Sequence, residues 1–242
     1  LRGLMECMKR RIKVSDFRQV IETVSGKVPI EYLSDTWFIE ELAGADKRYF
    51  WFVKRLFDVA FSLVGLLLLL PFVPLVIAIV RLDSAGSAFY SQQRVGRGGN
   101  LIKVWKVRTM VAGADRDQVH WTEDNDARIT RVGRVLRKLH IDELPQLFNI
   151  LRGDMSLIGP RPEAVSLVAM YRKDIPYYME RYMVTPGVTG WAQINFPYGN
   201  SIDDTREKLK YDFYYIKNRS IPFDILIFLR TIRTVMTGKG AL

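Results

Sequence analysis

The run from Leu56 to Val80, centred on Leu66-Leu67-Leu68-Leu69-Leu70-Pro71-Phe72-Val73-Pro74-Leu75, is apolar apart from Asp58. A bilayer core takes about 20 residues of helix, so the run is long enough to enter a membrane. Pro71 and Pro74 interrupt it near the middle, where each removes a backbone donor and presses on the preceding turn. Basic residues flank both ends, with Lys47, Arg48, Lys54 and Arg55 before it and Arg81, Arg94 and Arg97 after it. Positive flanks prefer the cytoplasm, and a straight span satisfies both only with a second crossing, for which no second long apolar run exists. The economical fold is a re-entrant helix that dips in, breaks at Pro71 and Pro74 and returns to the same face. A kinked through-span is the alternative.

The chain has 242 residues, 48% of them hydrophobic, ample for a core. Its 36 basic against 26 acidic residues give a net charge of +10, which points to lipid head groups, nucleotide phosphates or nucleic acid. Nucleic acid is the weakest of these: the sequence carries no helix-turn-helix, zinc or base-stacking signature, and a nucleic-acid binder has no use for a long apolar hairpin. The single Cys7 cannot form an intrachain disulfide, and we assign it no role. Leu1 is not an initiator methionine, so we expect further sequence upstream, including transmembrane helices.

The second informative stretch runs from His140-Ile141-Asp142-Glu143-Leu144-Pro145 through Gly159-Pro160-Arg161-Pro162-Glu163. Leu144, Leu147, Phe148 and Leu151 recur at helical spacing, predicting an amphipathic helix of about three turns that Gly153 can end. Asp142 and Glu143 then sit at its N-terminal end. An acid there is ordinarily an N-cap or a complement to the helix dipole. Pro160-Arg161-Pro162 changes the balance, because two prolines fix an arginine in a way that suits phosphate better than solvent. An acidic pair facing a fixed arginine reads as phosphate chemistry.

These residues do not stand alone. Lys54-Arg55-Leu56-Phe57-Asp58, Gln93-Arg94-Val95-Gly96, Lys106-Val107-Arg108-Thr109-Met110, Asp126-Ala127-Arg128-Ile129-Thr130-Arg131-Val132-Gly133, the Asp142-Glu143 block, Pro186-Gly187-Val188-Thr189-Gly190-Trp191 and Tyr211-Asp212-Phe213-Tyr214-Tyr215 follow one another in order. From residue 47 to the end the chain resembles the bacterial polyprenyl-phosphate sugar-1-phosphate transferases, the phosphoglycosyl transferases that begin exopolysaccharide and O-antigen synthesis. The chain departs from that pattern at Leu70, where many relatives carry serine, which is expected to move the break towards Pro74. Ala85 and Ser87 stand where prolines are common, and Val107 and Thr109 flank Arg108 where phenylalanine and serine are frequent.

The resemblance implies transfer of a sugar 1-phosphate from a UDP-sugar to undecaprenyl phosphate at the cytoplasmic face of the bacterial inner membrane. It implies Asp142 as the nucleophile that forms an aspartyl-phosphosugar intermediate, with Glu143 either binding a divalent ion or handling a proton. Oxygen ligands without a His or Cys cluster favour Mg²⁺ held by Asp142 and Glu143, with Mn²⁺ as the alternative ion. Arg161 is the first candidate for the nucleotide phosphates, followed by Arg108 and Lys106, then Arg137 and Arg181. His120 and His140, the only histidines, are left outside the site. Anionic membrane lipids and self-association are the further partners expected. A catalytically silent, membrane-anchored assembly or regulatory subunit of a polysaccharide synthesis complex is the competing reading.

The fold expected is α+β and mainly helical, with three parts. Residues 1–46 form the end of an upstream module or linker, 47–82 the membrane helix, and 83–242 the cytoplasmic catalytic domain. Within the last part, Ala88–Tyr90 and Leu101–Val107 read as strands around the glycine-rich Arg94–Asn100 turn. Ile129–Leu139 reads as a cationic amphipathic helix. Ile225, Phe228, Leu229, Ile232 and Met236 mark a C-terminal stripe that serves either the membrane surface or the core.

Overall fold

The computed structural model describes residue 10 and residues 16–43, 48–111, 113, 126–196, 199 and 201–237. Cys7, Lys47 and His120 lie outside these residues. The apolar run folds as a helix over Arg48–Leu69 (α2), a 3₁₀ turn over Leu70–Phe72 and a helix over Val73–Asp83 (α3). Only 6% of its most apolar 18-residue window is buried within the protein, and Leu67, Leu68, Phe72 and Leu75 face outwards. A core helix of a soluble protein would show the reverse burial, and this element is long and apolar enough to enter a membrane. The break falls at Leu70–Phe72 around Pro71 and does not drift to Pro74 as Leu70 predicts. Pro74 is absorbed in the first turn of α3, where a helix has no use for its missing N–H.

Both ends of this element grip the same folded body. Near the start of α2, Lys54 Nζ donates to Asp224 Oδ2 at 2.6 Å, and Arg55 donates to the carbonyls of Ile150 and Leu151 at 2.5 and 2.7 Å. Farther along, Asp58 Oδ1 accepts from the Leu157 amide at 2.9 Å. At the far end, Val80 is buried with Val107 and Leu136, and Asp83 Oδ2 accepts from the Val132 amide at 3.2 Å.

Strands β1 (Phe89–Val95) and β2 (Leu101–Val107) form an antiparallel hairpin from Phe89↔Val107 to Val95↔Leu101. β1 is longer than the expected Ala88–Tyr90, because its ladder continues to the glycine-rich tip at Arg97–Gly99. Next come helix α4 (Arg131–Lys138), helix α5 (Gln146–Arg152) and the short strand β3 (Ser156–Ile158). Helix α6 (Val165–Asp174) and a 3₁₀ turn over Tyr178–Met183 lead to β4 (Gly187–Thr189), which pairs in parallel with β3. Helices α7 (Trp191–Asn195), α8 (Ile202–Asn218) and α9 (Ile221–Thr237) complete the chain.

The main core gathers Phe213 and Ile216 of α8, Tyr171 of α6, Tyr178 and Tyr182, and Ile227 of α9. Val28, Ile30 and Trp37, which the sequence places in an upstream module, are buried in this same core. The helix α1 (Phe17–Ser25) that precedes them is tied down as well, with Lys217 pairing to Glu22 at 2.8 Å. The C-terminal stripe divides its labour: Phe228 meets Phe61 of α2 edge to face at 5.1 Å, while Ile225, Leu229 and Ile232 stay exposed.

Candidate active site

The acidic pair is delivered by two unusual backbone steps. Helix α4 starts at Thr130, whose hydroxyl accepts from the Gly133 amide, and ends at Leu139. His140 then takes a left-handed conformation at φ 55°, costly for a residue with a Cβ and characteristic of functional turns. It throws the chain into a 3₁₀ turn over Ile141–Glu143 that carries both acids. The expected three-turn helix is therefore only Gln146–Arg152, ended by Gly153 at φ 95°. Pro145 is the reason for the difference: it has no amide to donate back to Ile141, so the acids keep a turn of their own. Neither that turn nor α5 has a side-chain cap, so Asp142 is not the N-cap that composition favours.

Glu143 lies at the centre of an ionic cluster. Its Oε1 accepts from Lys106 Nζ of β2 at 2.7 Å and from an Arg161 guanidinium nitrogen at 2.6 Å. Burial alone would push its carboxyl up, but Arg161 and Lys106 together hold it well below the ordinary carboxylate value. Asp142 is in the opposite state. It is 8% exposed, and no hydrogen bond reaches its carboxylate among the described residues. Burial pushes it up, Lys106 pulls it down, Glu143 raises it again, and Arg137 and His140 lower it. Two adjacent acids thus have distinct roles open to them, one neutralised and fixed, the other desolvated and free to react.

Arg161 owes its position to packing behind it. The Gly159 amide donates to Thr189 at 2.9 Å and the Gly187 amide to Pro160 at 2.9 Å, which clamps the Gly-Pro-Arg-Pro turn against β4. The backbones approach so closely that a Cβ on Gly187 would lie 2.1 Å from the Gly159 nitrogen. Gly187→Ala is therefore expected to lower stability by about 3 kcal/mol, as overpacking against rigid backbone does, and to reduce activity with it. Thermal unfolding of the two forms in one detergent checks this, and an unchanged midpoint would refute the clamp. On the other side, Arg94 donates to Pro162 at 3.0 Å and Arg181 to the Arg161 carbonyl at 3.1 Å.

The sequence candidates separate accordingly. Lys106 and Arg161 meet on Glu143, and Arg137 lies close enough to act on Asp142 while its Nε donates to Thr109 Oγ1 at 2.8 Å. Arg108 turns elsewhere, donating to the carbonyls of Ala85 at 2.8 Å and of Ser84, and so closes the end of α3. Arg181 is buried behind the turn, paired with Asp212 at 2.7 Å and bonded to the Tyr178 hydroxyl at 2.8 Å. As placed, Arg108 and Arg181 are not among the groups around the dyad. Thr109 and Asp212, bonded to Arg137 and Arg181, carry no site signal in the sequence beyond Asp212's place inside the aromatic run Tyr211–Tyr215. No group of three or more His, Cys, Asp or Glu side chains placed to hold one metal ion occurs among the described residues.

The described residues thus combine a long apolar helix with an acidic dyad whose Glu143 is held by two cations, Lys106 and Arg161. The chain belongs to the bacterial sugar transferase family, whose sequence profile matches residues 49–238. It is 41% identical over 240 residues, 99% of this chain, to an Aeromonas hydrophila UDP-N-acetylgalactosamine-undecaprenyl-phosphate N-acetylgalactosaminephosphotransferase, of which it covers 56%. It is 38% identical over 223 residues, 91% of this chain, to an Escherichia coli K12 UDP-glucose:undecaprenyl-phosphate glucose-1-phosphate transferase, of which it covers 46%. A Caulobacter vibrioides protein with the same glucose-1-phosphate transferase name is 40% identical over 190 residues, covering 78% of this chain and 71% of the relative. The chain thus spans about half the length of the first two relatives.

Proposed function

We propose that this protein transfers a sugar 1-phosphate from a UDP-sugar to undecaprenyl phosphate, releasing UMP, at the cytoplasmic face of a bacterial inner membrane. The observation that carries this reading is the pairing of a buried Asp142, free of hydrogen bonds among the described residues, with a Glu143 clasped by Lys106 and Arg161. The names of the relatives above support the same chemistry. Because both ends of the apolar element dock on one domain, we read it as re-entrant, with the active site at the membrane surface where a lipid phosphate arrives.

In the first step an Asp142 carboxylate oxygen attacks the β-phosphorus of the donor. The bond from that phosphorus to the bridging oxygen breaks, UMP leaves with the electron pair, and an aspartyl-phosphosugar remains. In the second step an oxygen of the lipid phosphate attacks the same phosphorus, giving undecaprenyl diphosphate sugar and regenerating Asp142. Lys106 and Arg161 sit where they can share their charge between Glu143 and the incoming phosphates. Arg137 supplies a third cation near the nucleophile.

The residues also fit a divalent cation. Both bonds to Glu143 fall on Oε1, which leaves Oε2 without a donor among the described residues, and Asp142, its neighbour in sequence, is likewise unbonded there. Two carboxylates plus substrate phosphates are a usual Mg²⁺ environment. Once bound there, Mg²⁺ would offset the negative charge of the diphosphate. The test is UMP release by the detergent-solubilised protein with Mg²⁺, undecaprenyl phosphate and a panel of UDP-sugars. Release that needs one sugar and the lipid is the expected result. No release with any donor would favour the silent-subunit reading instead.

A further inference from the structure

Three residues far apart in the chain converge at the root of α2. Arg97, at the exposed tip of the β1–β2 hairpin, places its guanidinium carbon 5.2 Å from the centre of the Trp51 ring. Arg219, between α8 and α9, places its own at 5.5 Å from the same ring. Among the described residues neither arginine has a carboxylate within ion-pair distance, whereas Arg94 and Arg161 of the same domain each have one. Arg219 donates to the Ile216 carbonyl, but its Nε is buried with no partner. Burial lowers the affinity of Arg219 for its proton, Tyr215 raises it, and the charge of Arg97 lowers it again, so the two cations sense one another.

Two like charges held together on one ring lose energy unless an anion joins them. The anion that fits is set by depth. Trp51 precedes Leu56, where the apolar run begins, by five residues, or at most about 7.5 Å of helix. The headgroup layer on each side of a bilayer core is of the same thickness, about 5–8 Å. Tyr49 and Phe52, 79% and 70% exposed, frame Trp51 as aromatic residues do at a membrane interface.

From this we infer that Arg97, Trp51 and Arg219 form a cradle for the phosphate of an anionic membrane phospholipid, separate from the Asp142 site. The guanidiniums take the phosphate oxygens, the tryptophan keeps both planes in place, and the acyl chains lie along the exposed apolar face of α2. The cradle rests on the membrane reading of α2. It would fix how deeply α2 sits, and with it the height of the acidic dyad above the lipid.

The test is equilibrium binding of fluorescent phosphatidylglycerol to the detergent-solubilised full chain. Arg97→Gln/Arg219→Gln should weaken binding about tenfold, and Arg97→Gln alone, at an exposed tip where folding is not at stake, should weaken it about threefold. Equal binding by parent and variants would overturn the inference. So would displacement of the lipid by an equal concentration of inorganic phosphate, which would assign the cradle to a soluble anion. Carbonate washing of membranes tests the reading beneath it separately: loss of the parent chain from the membrane would remove the membrane assignment itself, whereas retention with unchanged lipid binding would remove only the cradle.

Discussion

Asp142→Asn is expected to lower UMP release by on the order of 10⁴-fold, the size of loss seen when a covalent nucleophile is removed from a site otherwise left intact. The substitution is nearly isosteric, and the carboxylate it replaces has no hydrogen bonds to lose among the described residues. Folding should not suffer, because a neutral amide relieves the burial that pushes Asp142 up. Activity and stability therefore move in opposite directions, which a supporting carboxylate would not do. The same burial fixes a pH signature. Asp142 must be ionised to attack, and its affinity for a proton is above the ordinary carboxylate value, so activity should fall as pH drops at a point above the usual aspartate range. Glu143 behaves oppositely. Held well below its ordinary value by Arg161 and Lys106, it contributes stability that is present above the unfolded-state pKa and is lost only as pH falls through the lower folded value. Full turnover by Asp142→Asn, or an acid limb in the unperturbed aspartate range, would remove Asp142 from the role proposed.

Much of this architecture can be read from the sequence because its causes are local. An apolar run broken at Pro71, a glycine-rich hairpin tip and a terminating Gly153 each act over a few residues, and all three are present, although Pro74 is absorbed into α3 and Arg94 and Val95 of the expected turn belong to β1. The turns that carry Asp142, Glu143 and Arg161 are legible for the same reason, since prolines and glycines fix them. What is not legible depends on distant partners. Nothing near Arg108 says that it will bond to the carbonyls of Ser84 and Ala85, and nothing near residues 28–37 says that Val28 and Trp37 will fill the core beside Phe213. α5 is shorter than the apolar spacing predicts because Leu144 fits that spacing, whereas the missing amide of Pro145 decides where the helix can begin.

Arg181 gives the sharpest contrast between the two levels, and a second large effect. Read along the chain, an arginine five residues before Pro186 is a phosphate ligand. In the fold it is a buried cation, bonded to Asp212, to the Tyr178 hydroxyl and to the Arg161 carbonyl, with the Tyr178 and Tyr182 rings over its guanidinium. Arg181→Met leaves Asp212 as an uncompensated charge, 2% exposed, and breaking such a pair costs about 3–5 kcal/mol. For a domain of this size the unfolding midpoint should fall by about 10 °C. Arg181→Met/Asp212→Leu removes both charges, and most of that loss should return, because an apolar pair of similar volume replaces an ion pair at little cost. Activity should not return with it. The Arg161 carbonyl still lacks its donor, the Gly-Pro-Arg-Pro turn is freer, and the guanidinium that shares Glu143 with Lys106 is less well aimed. Thermal unfolding and steady-state kinetics on the two variants separate the possibilities. A direct phosphate ligand would raise KM and leave the melting midpoint in place; a residue that positions Arg161 lowers the midpoint in the single variant and kcat in both.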